Sequence, residues 1–171
     1  MNRRKAVAAI ALAPVAAGQT KRSDVRDSFI GVWKLVSYEA TNKSSGAVSY
    51  PLGPKPFGRL TYDAAGRMSA QLMNPGRRAI GGSPERSAVA AARGASCEEM
   101  REMLTGFSAY CGRFEVDESS RTVTHRVEAC LIPSWVGSEQ HRRFEFIGNQ
   151  LIVTSAKQES VGRLVWQREE N

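Results

Sequence analysis

The chain has 171 residues, 42% hydrophobic and 24% charged, with a formal net charge of +7. That length suits one domain able to bury well over half of its unfolded surface. The basic residues are interspersed with Asp and Glu rather than gathered into a stripe, and no nucleic-acid module signature is present, which excludes nucleic acid as the expected partner.

Residues 1–17 read as a secretory signal peptide: Arg3-Arg4-Lys5 is a basic head, an apolar run follows, and Val15-Ala16-Ala17 is a small-residue exit. The run from Ala6 to Ala17 is too short to span a bilayer, which needs about 20 residues, and Pro14 would break a spanning helix. Lys5-Ala6-Val7 is a poor continuation of a twin-arginine signal, and no cysteine near the exit could carry a lipid anchor. The expected location is therefore periplasmic or secreted. Without Arg3, Arg4 and Lys5 the charge falls from +7 to +4. Residues 18–28 form a linker, and residues 29–168 carry the domain.

Residues 29–40 alternate as a long strand, Thr41 to Gly46 is a turn cluster, and residues 47–50 can pair back. Pro51-Leu52-Gly53-Pro54-Lys55-Pro56 lacks the ladder donors of an interior strand and reads as a stiff loop at a rim. Residues 57–62 and 67–73 form a hairpin around Asp63-Ala64-Ala65-Gly66. Between residues 74 and 106 the period turns helical. Ser83-Pro84-Glu85 is a helix start that Gly94 can close, and Ser96-Cys97-Glu98-Glu99 is a capping box for a second helix ending at Gly106. These two short helices either cap an open end or pack outside. Strands resume over residues 107–116, 121–132, 138–147, 151–156 and 161–168. The fold class is mainly β: an antiparallel, up-and-down barrel of eight to nine strands with two inserted helices, roomy enough for one small ligand.

The more apolar parity of each strand marks its inner face. Leu60 and Tyr62, then Met68, Ala70 and Leu72, then Tyr110, Phe114 and Val116 point inward on this rule. Val123, Val127, Ala129 and Leu131 define the next inner face, and His125 falls on it. Phe144 and Phe146 set the parity that places Arg142 and Gln140 inside. Glu39 shares the parity of Trp33 and is a rim candidate to satisfy Arg142; Tyr62, Tyr110, water or an anionic ligand are the others. Trp135 in the Pro133–Gly137 corner either walls the rim or covers an edge. Three open readings follow: a polar network of structural value, a ligand site of polar groups in an apolar cavity, or a parity slip at residues 133–137 that turns Arg142 outward.

Cys97, Cys111 and Cys130 leave an odd thiol. A turn at residues 117–120 sets Cys111 opposite Arg126, roughly 13 Å from Cys130 and beyond bridging distance, so buried small hydrophobes are the expected role. The two histidines, His125 and His141, have opposite parity, and no Cys/His pair has ligand spacing, so no metal or other cofactor is expected. There is no Gly-x-Ser-x-Gly elbow, phosphate loop or dinucleotide fingerprint.

Gly31-Val32-Trp33 opens the first strand and Trp166-Gln167-Arg168 closes the last. If the sheet closes, Arg168 can stack on a tryptophan, a contact of about 0.5–2 kcal/mol. Gly-x-Trp with a terminal Arg resembles the lipocalin signature. Gly31-Val-Trp-Lys-Leu-Val-Ser-Tyr-Glu39, Pro51-Leu-Gly53, Gly58-Arg-Leu-Thr-Tyr62, Gly66-Arg-Met-Ser-Ala-Gln-Leu72, Val123-Thr-His125 and Leu164-Val-Trp-Gln-Arg168 are closer still to the bacterial and fungal lipocalin-like domain family. That resemblance implies a calycin-like barrel and small hydrophobic ligands. The expected function is binding of a small hydrophobic or amphipathic molecule, acidic or carbonyl-bearing, by His125, Arg142, Gln140, Tyr62, Tyr110, Met68, Phe144 and Trp135. The alternative is an isomerase or cyclase in which His125 transfers a proton and Arg142 stabilises an enolate-like oxygen. The pattern leaves oligomeric state open.

Overall fold

The computed structural model describes residues 24–78, 87–157 and 159–170. The expected signal peptide, the start of the linker and the Ser83-Pro84-Glu85 helix start lie outside these residues. Alternating apolar and polar side chains produce nine strands: β1 (Gly31–Asn42), β2 (Val48–Ser49), β3 (Phe57–Tyr62), β4 (Arg67–Met73), β5 (Phe107–Asp117), β6 (Thr122–Cys130), β7 (Glu139–Ile147), β8 (Gln150–Ala156) and β9 (Ser160–Arg168). Every neighbour is antiparallel, and β1 pairs with β9 as well as with β3. Eight strands thus close into a barrel, and β2 adds a short ninth at the β1 edge. No described helix is long and apolar enough to cross a membrane.

Closure brings Trp33 opposite Arg168. The guanidinium carbon lies 4.2 Å from the Trp33 ring centre, and its nitrogens donate to the carbonyls of Ile30 (2.7 Å) and Ser28. Gly31 has φ +136°, and a Cβ there would stand 2.7 Å from Arg168 Nη1, so only glycine fits this corner. A 3₁₀ turn, Val25–Ser28, delivers Phe29 into the barrel at this end. Phe29 is fully buried, with ring centres of Tyr62, Phe144 and Phe146 within 5.0–5.2 Å. Burying one such ring contributes about 2–3 kcal/mol, and this plug fills one half of the barrel.

Two bulges change the inward faces expected from parity. In β1 the pairing with β9 shifts between Leu35 and Ser37, which expels Val36 to 48% exposure. From there the alternation inverts: Tyr38 turns inward opposite Leu164, and Glu39 turns outward opposite Arg163. Glu39 is therefore no partner for Arg142. In β5–β6 the register jumps from Gly112↔Val127 to Cys111↔Ala129, leaving Glu128 unpaired in the ladder. Ala129 and Leu131 consequently face solvent, and Ile132 takes the inner position. Gly112 permits the bulge, because a Cβ there would meet Arg126 O at 1.9 Å.

The same register corrects the cysteines. Cys111 lies opposite Ala129 rather than Arg126, one step from the Tyr110↔Cys130 pair, and the two thiols point to opposite faces. All three cysteines are free; Cys97 and Cys111 are exposed and Cys130 is half-buried, so they are not the buried hydrophobes expected.

The inserted segment forms α1 (Ala88–Gly94) and α2 (Cys97–Thr105), the second opened by the expected Ser96/Glu99 capping box. Leu104 and Thr105 at the end of α2 border the barrel cavity, so this helix caps the open end.

Candidate functional site

Because Phe29 plugs one end, the remaining space lies in the other half of the barrel. It is a cavity of about 350 Å³, within the range of small-molecule sites. Its walls are apolar: Leu60 from β3, Ala70 and Leu72 from β4, Val153 from β8, and Leu164 and Trp166 from β9. Leu52, Leu104, Phe107, Ile132 and Trp135 surround the mouth. Its polar residues are Tyr38, Thr105, Ser108, Tyr110, His125, Arg142, Ser155 and Lys157.

His125 projects inward from β6 with only 2% of its surface exposed. Its Nε2 lies 2.7 Å from the Tyr62 hydroxyl of β3, and its Nδ1 lies 2.9 Å from the Tyr110 hydroxyl of β5. The imidazole is clamped between two tyrosines. Burial, reinforced by the Arg142 charge, lowers its pKa from 6.5 to about 3, so it is neutral at ordinary pH. Tyr62 is 1% exposed and has no other polar partner for its hydroxyl among the described residues. Burial raises the pKa of Tyr62 well above its usual value, aided by Tyr110 and opposed by Arg142; it also raises those of Tyr110 and Tyr38, again against Arg142.

Arg142 is half-buried and borders the cavity. The pairs Val123↔Arg142 and His125↔Gln140 keep both β7 residues on the inner parity and exclude the slip at residues 133–137. Arg142 donates to Gln140 Oε1 and to the backbone oxygen of His141, both at 3.2 Å. Gln140 in turn donates to Ser138 Oγ (2.9 Å), which donates to the Trp135 carbonyl (2.7 Å). This chain aims the guanidinium and ties it to the Trp135 corner, whose indole meets Tyr110 edge-on at 6.2 Å. Among the described residues no carboxylate lies within ion-pair distance of Arg142. A cation beside an apolar cavity without a protein counter-ion needs water or another polar or anionic group to satisfy its remaining donors.

The structure therefore divides the expected site residues. His125, Arg142, Tyr110 and Trp135 border the cavity. Gln140 orients Arg142 from behind, and Tyr62 orients His125. Met68 and Phe144 are buried in the core cluster with Phe29, inward but outside the cavity. Tyr38, Ser155 and Lys157 border the cavity and were missed by sequence reasoning. Tyr38 was hidden by the bulge; the consecutive apolar Leu35-Val36 inside an alternating strand was the available signal.

Comparison with known proteins finds the lipocalin-like domain over residues 30–169. A 4'-hydroxy-3'-methoxypropiophenone carrier protein of Aspergillus oryzae is 32% identical over 94 residues, 52% of this chain and 78% of the relative. The crystal structure of a mutant of the fluorescent protein UnaG aligns with 83% of this chain and 96% of that chain, at 12% identity and a TM-score of 0.36.

Proposed function

The chain belongs to the lipocalin-like domain family, and from that premise we propose that its barrel binds one small, mostly apolar molecule, presenting an acidic or carbonyl oxygen to Arg142. Small-molecule binding in the barrel is the activity supported by family membership and by a carrier among the relatives. The observation that carries the finer reading is Arg142 itself, which borders an apolar cavity with the neutral Gln140 carboxamide and a backbone carbonyl as its hydrogen-bond acceptors. The relative's named cargo is a phenolic aryl ketone, an apolar ring with oxygen at both ends, and this cavity offers apolar walls with the cations Arg142 and Lys157 at its border. Proton abstraction by His125 finds no comparable support. Both its nitrogens face tyrosine hydroxyls, and burial makes the imidazole a weak base. The segment 1–17 supports export of the mature barrel, and N-terminal sequencing of protein from its own host tests that.

Isothermal titration with 4'-hydroxypropiophenone, a medium-chain fatty acid, propylbenzene and propylamine tests the reading. The oxygen-bearing ligands are expected to bind, the hydrocarbon more weakly, and the amine not at all. Arg142→Leu is expected to weaken the fatty acid roughly 10- to 100-fold, the loss of a charge-assisted hydrogen bond, with the thermal midpoint near that of the parent. No binding of any compound overturns the proposal. A collapse in stability of Arg142→Leu assigns the residue to a structural network instead.

A further inference from the structure

The hydrogen bonds around His125 leave one question that geometry answers: where the hydroxyl hydrogens lie. A neutral imidazole has one donor and one acceptor nitrogen, so one tyrosine must donate to it and the other must accept from it. Tyr62 is 1% exposed, and its hydroxyl has no alternative acceptor among the described residues. Were it to accept from His125 Nε2–H, its own hydrogen would be stranded in the core, an arrangement that folded proteins avoid. Tyr62 must therefore donate to Nε2, which places the ring proton on Nδ1. Nδ1–H then donates to Tyr110, whose oxygen is used as an acceptor while its hydrogen remains free. Tyr110 borders the cavity, and that is where its hydrogen can find a partner.

We propose that the chain Tyr62–His125–Tyr110 keeps the Tyr110 hydroxyl hydrogen directed into the cavity, so that the site selects ligands carrying an acceptor oxygen. Tyr110 donates to the ligand; His125, which borders the same cavity, and Tyr62 behind it position that hydroxyl. The cavity then presents two donors, the Tyr110 hydroxyl and the Arg142 guanidinium. Carbonyl, ether and phenolate oxygens satisfy both donors, and hydroxyl-free hydrocarbons or ammonium groups satisfy neither. Polarisation along the chain strengthens the terminal donor, because each hydrogen bond accepted makes a hydroxyl a better donor. The inference rests on the reading of the cavity as a ligand site, and the experiment separates the two.

Long-range nitrogen–proton correlation spectra of the ligand-free, nitrogen-15-labelled protein report which imidazole nitrogen of His125 is protonated. The expected pattern is a pyrrole-type Nδ1 and a pyridine-type Nε2; the opposite pattern means that Tyr110 donates to His125 and overturns the proposal. Tyr62→Phe removes the bias and should mix the two tautomers, which a merely packing role for that hydroxyl would not do. The binding probes are propiophenone and its hydrocarbon counterpart propylbenzene. Tyr110→Phe is expected to weaken propiophenone about three- to tenfold, the loss of one neutral hydrogen bond, and to leave propylbenzene unchanged within about twofold. Equal losses for both probes also overturn the proposal. If neither probe binds the parent protein while His125 shows the expected nitrogen pattern, it is the ligand-site reading that fails, and the selectivity falls with it.

Discussion

Acidification tests the buried imidazole at the centre of the barrel. His125 has a pKa of about 3 in the folded protein against an ordinary 6.5, burial being the larger cause and the Arg142 charge the smaller. At neutral pH both folded and unfolded chains hold it neutral. Below 6.5 the unfolded chain takes up the proton and the folded chain does not, so stability falls with pH until the folded pKa is reached. At about 1.4 kcal/mol for each pH unit between the two values, the loss is on the order of 5 kcal/mol across that window, a large share of the roughly 5–15 kcal/mol typical of a domain. The groups facing His125 are Tyr62 from β3, Tyr110 from β5 and Arg142 from β7, and burial raises the pKa of both tyrosines, away from this window. The carboxylates Asp63, Glu99, Glu102, Glu115 and Asp117, all with lowered pKa, also lose stabilisation in acid. Their contribution cancels when His125→Gln, whose carboxamide can still meet both hydroxyls, is the reference. Guanidinium denaturation of both proteins, followed by tryptophan fluorescence between about pH 7 and pH 4, should show the parent losing its advantage over the variant by about 1.4 kcal/mol for each pH unit below 6.5. A difference that stays flat, or a folded-state imidazole titrating near its ordinary value by proton NMR, refutes the clamped, neutral His125.

Three further outcomes follow from the same geometry. Gly112→Ala forces a Cβ to within 1.9 Å of the Arg126 carbonyl oxygen and should cost about 3–5 kcal/mol by chemical denaturation, as the larger core disruptions do; a loss below about 1 kcal/mol means that the bulge relaxes freely. Arg168→Leu removes donors to Ile30 and Ser28 together with the stack on Trp33, an expected loss of about 2–4 kcal/mol, with Arg168→Lys intermediate; parity of the leucine variant with the parent removes the barrel closure from the stability argument. On the alkaline side, Tyr62, Tyr110 and Tyr38 have raised pKa values. The unfolded chain therefore releases their protons first, and stability should fall as pH rises through about 10. Tyr62→Phe should flatten that fall, and ultraviolet titration of every tyrosine at its ordinary pKa in the folded protein contradicts it.

Much of the barrel was legible because closure and alternation leave marks on the chain. Gly31, Trp33 and Arg168 announce a corner, and the period-two runs over β3, β4 and β7 give the correct inner faces. His125, Arg142 and Tyr110 point inward as that parity expects and border the cavity; Trp135 borders it from a corner that parity does not reach. Parity says in or out, but not how deep along the barrel axis a residue sits. Met68, Phe144 and Tyr62 therefore looked equivalent to Tyr110, although Phe29 fills the space around them. The bulges at Val36 and Glu128 were invisible for a related reason: one additional residue inverts everything beyond it while leaving alternation intact on both sides. That inversion concealed Tyr38 and Ile132, and it misplaced Glu39, Ala129 and Leu131. The partners of Arg142 depend on side-chain reach across a ladder, which no spacing encodes.

The most direct measurement is a crystal structure of the protein with a ring-brominated aryl ketone, located by the anomalous signal of bromine. Bromine density among Leu60, Leu72, Val153 and Trp166, with the ketone oxygen about 3 Å from Tyr110 and Arg142, is the predicted result. Bromine only on the outer surface, or a barrel still empty at saturating ligand, would contradict the assignment of this cavity as the functional site.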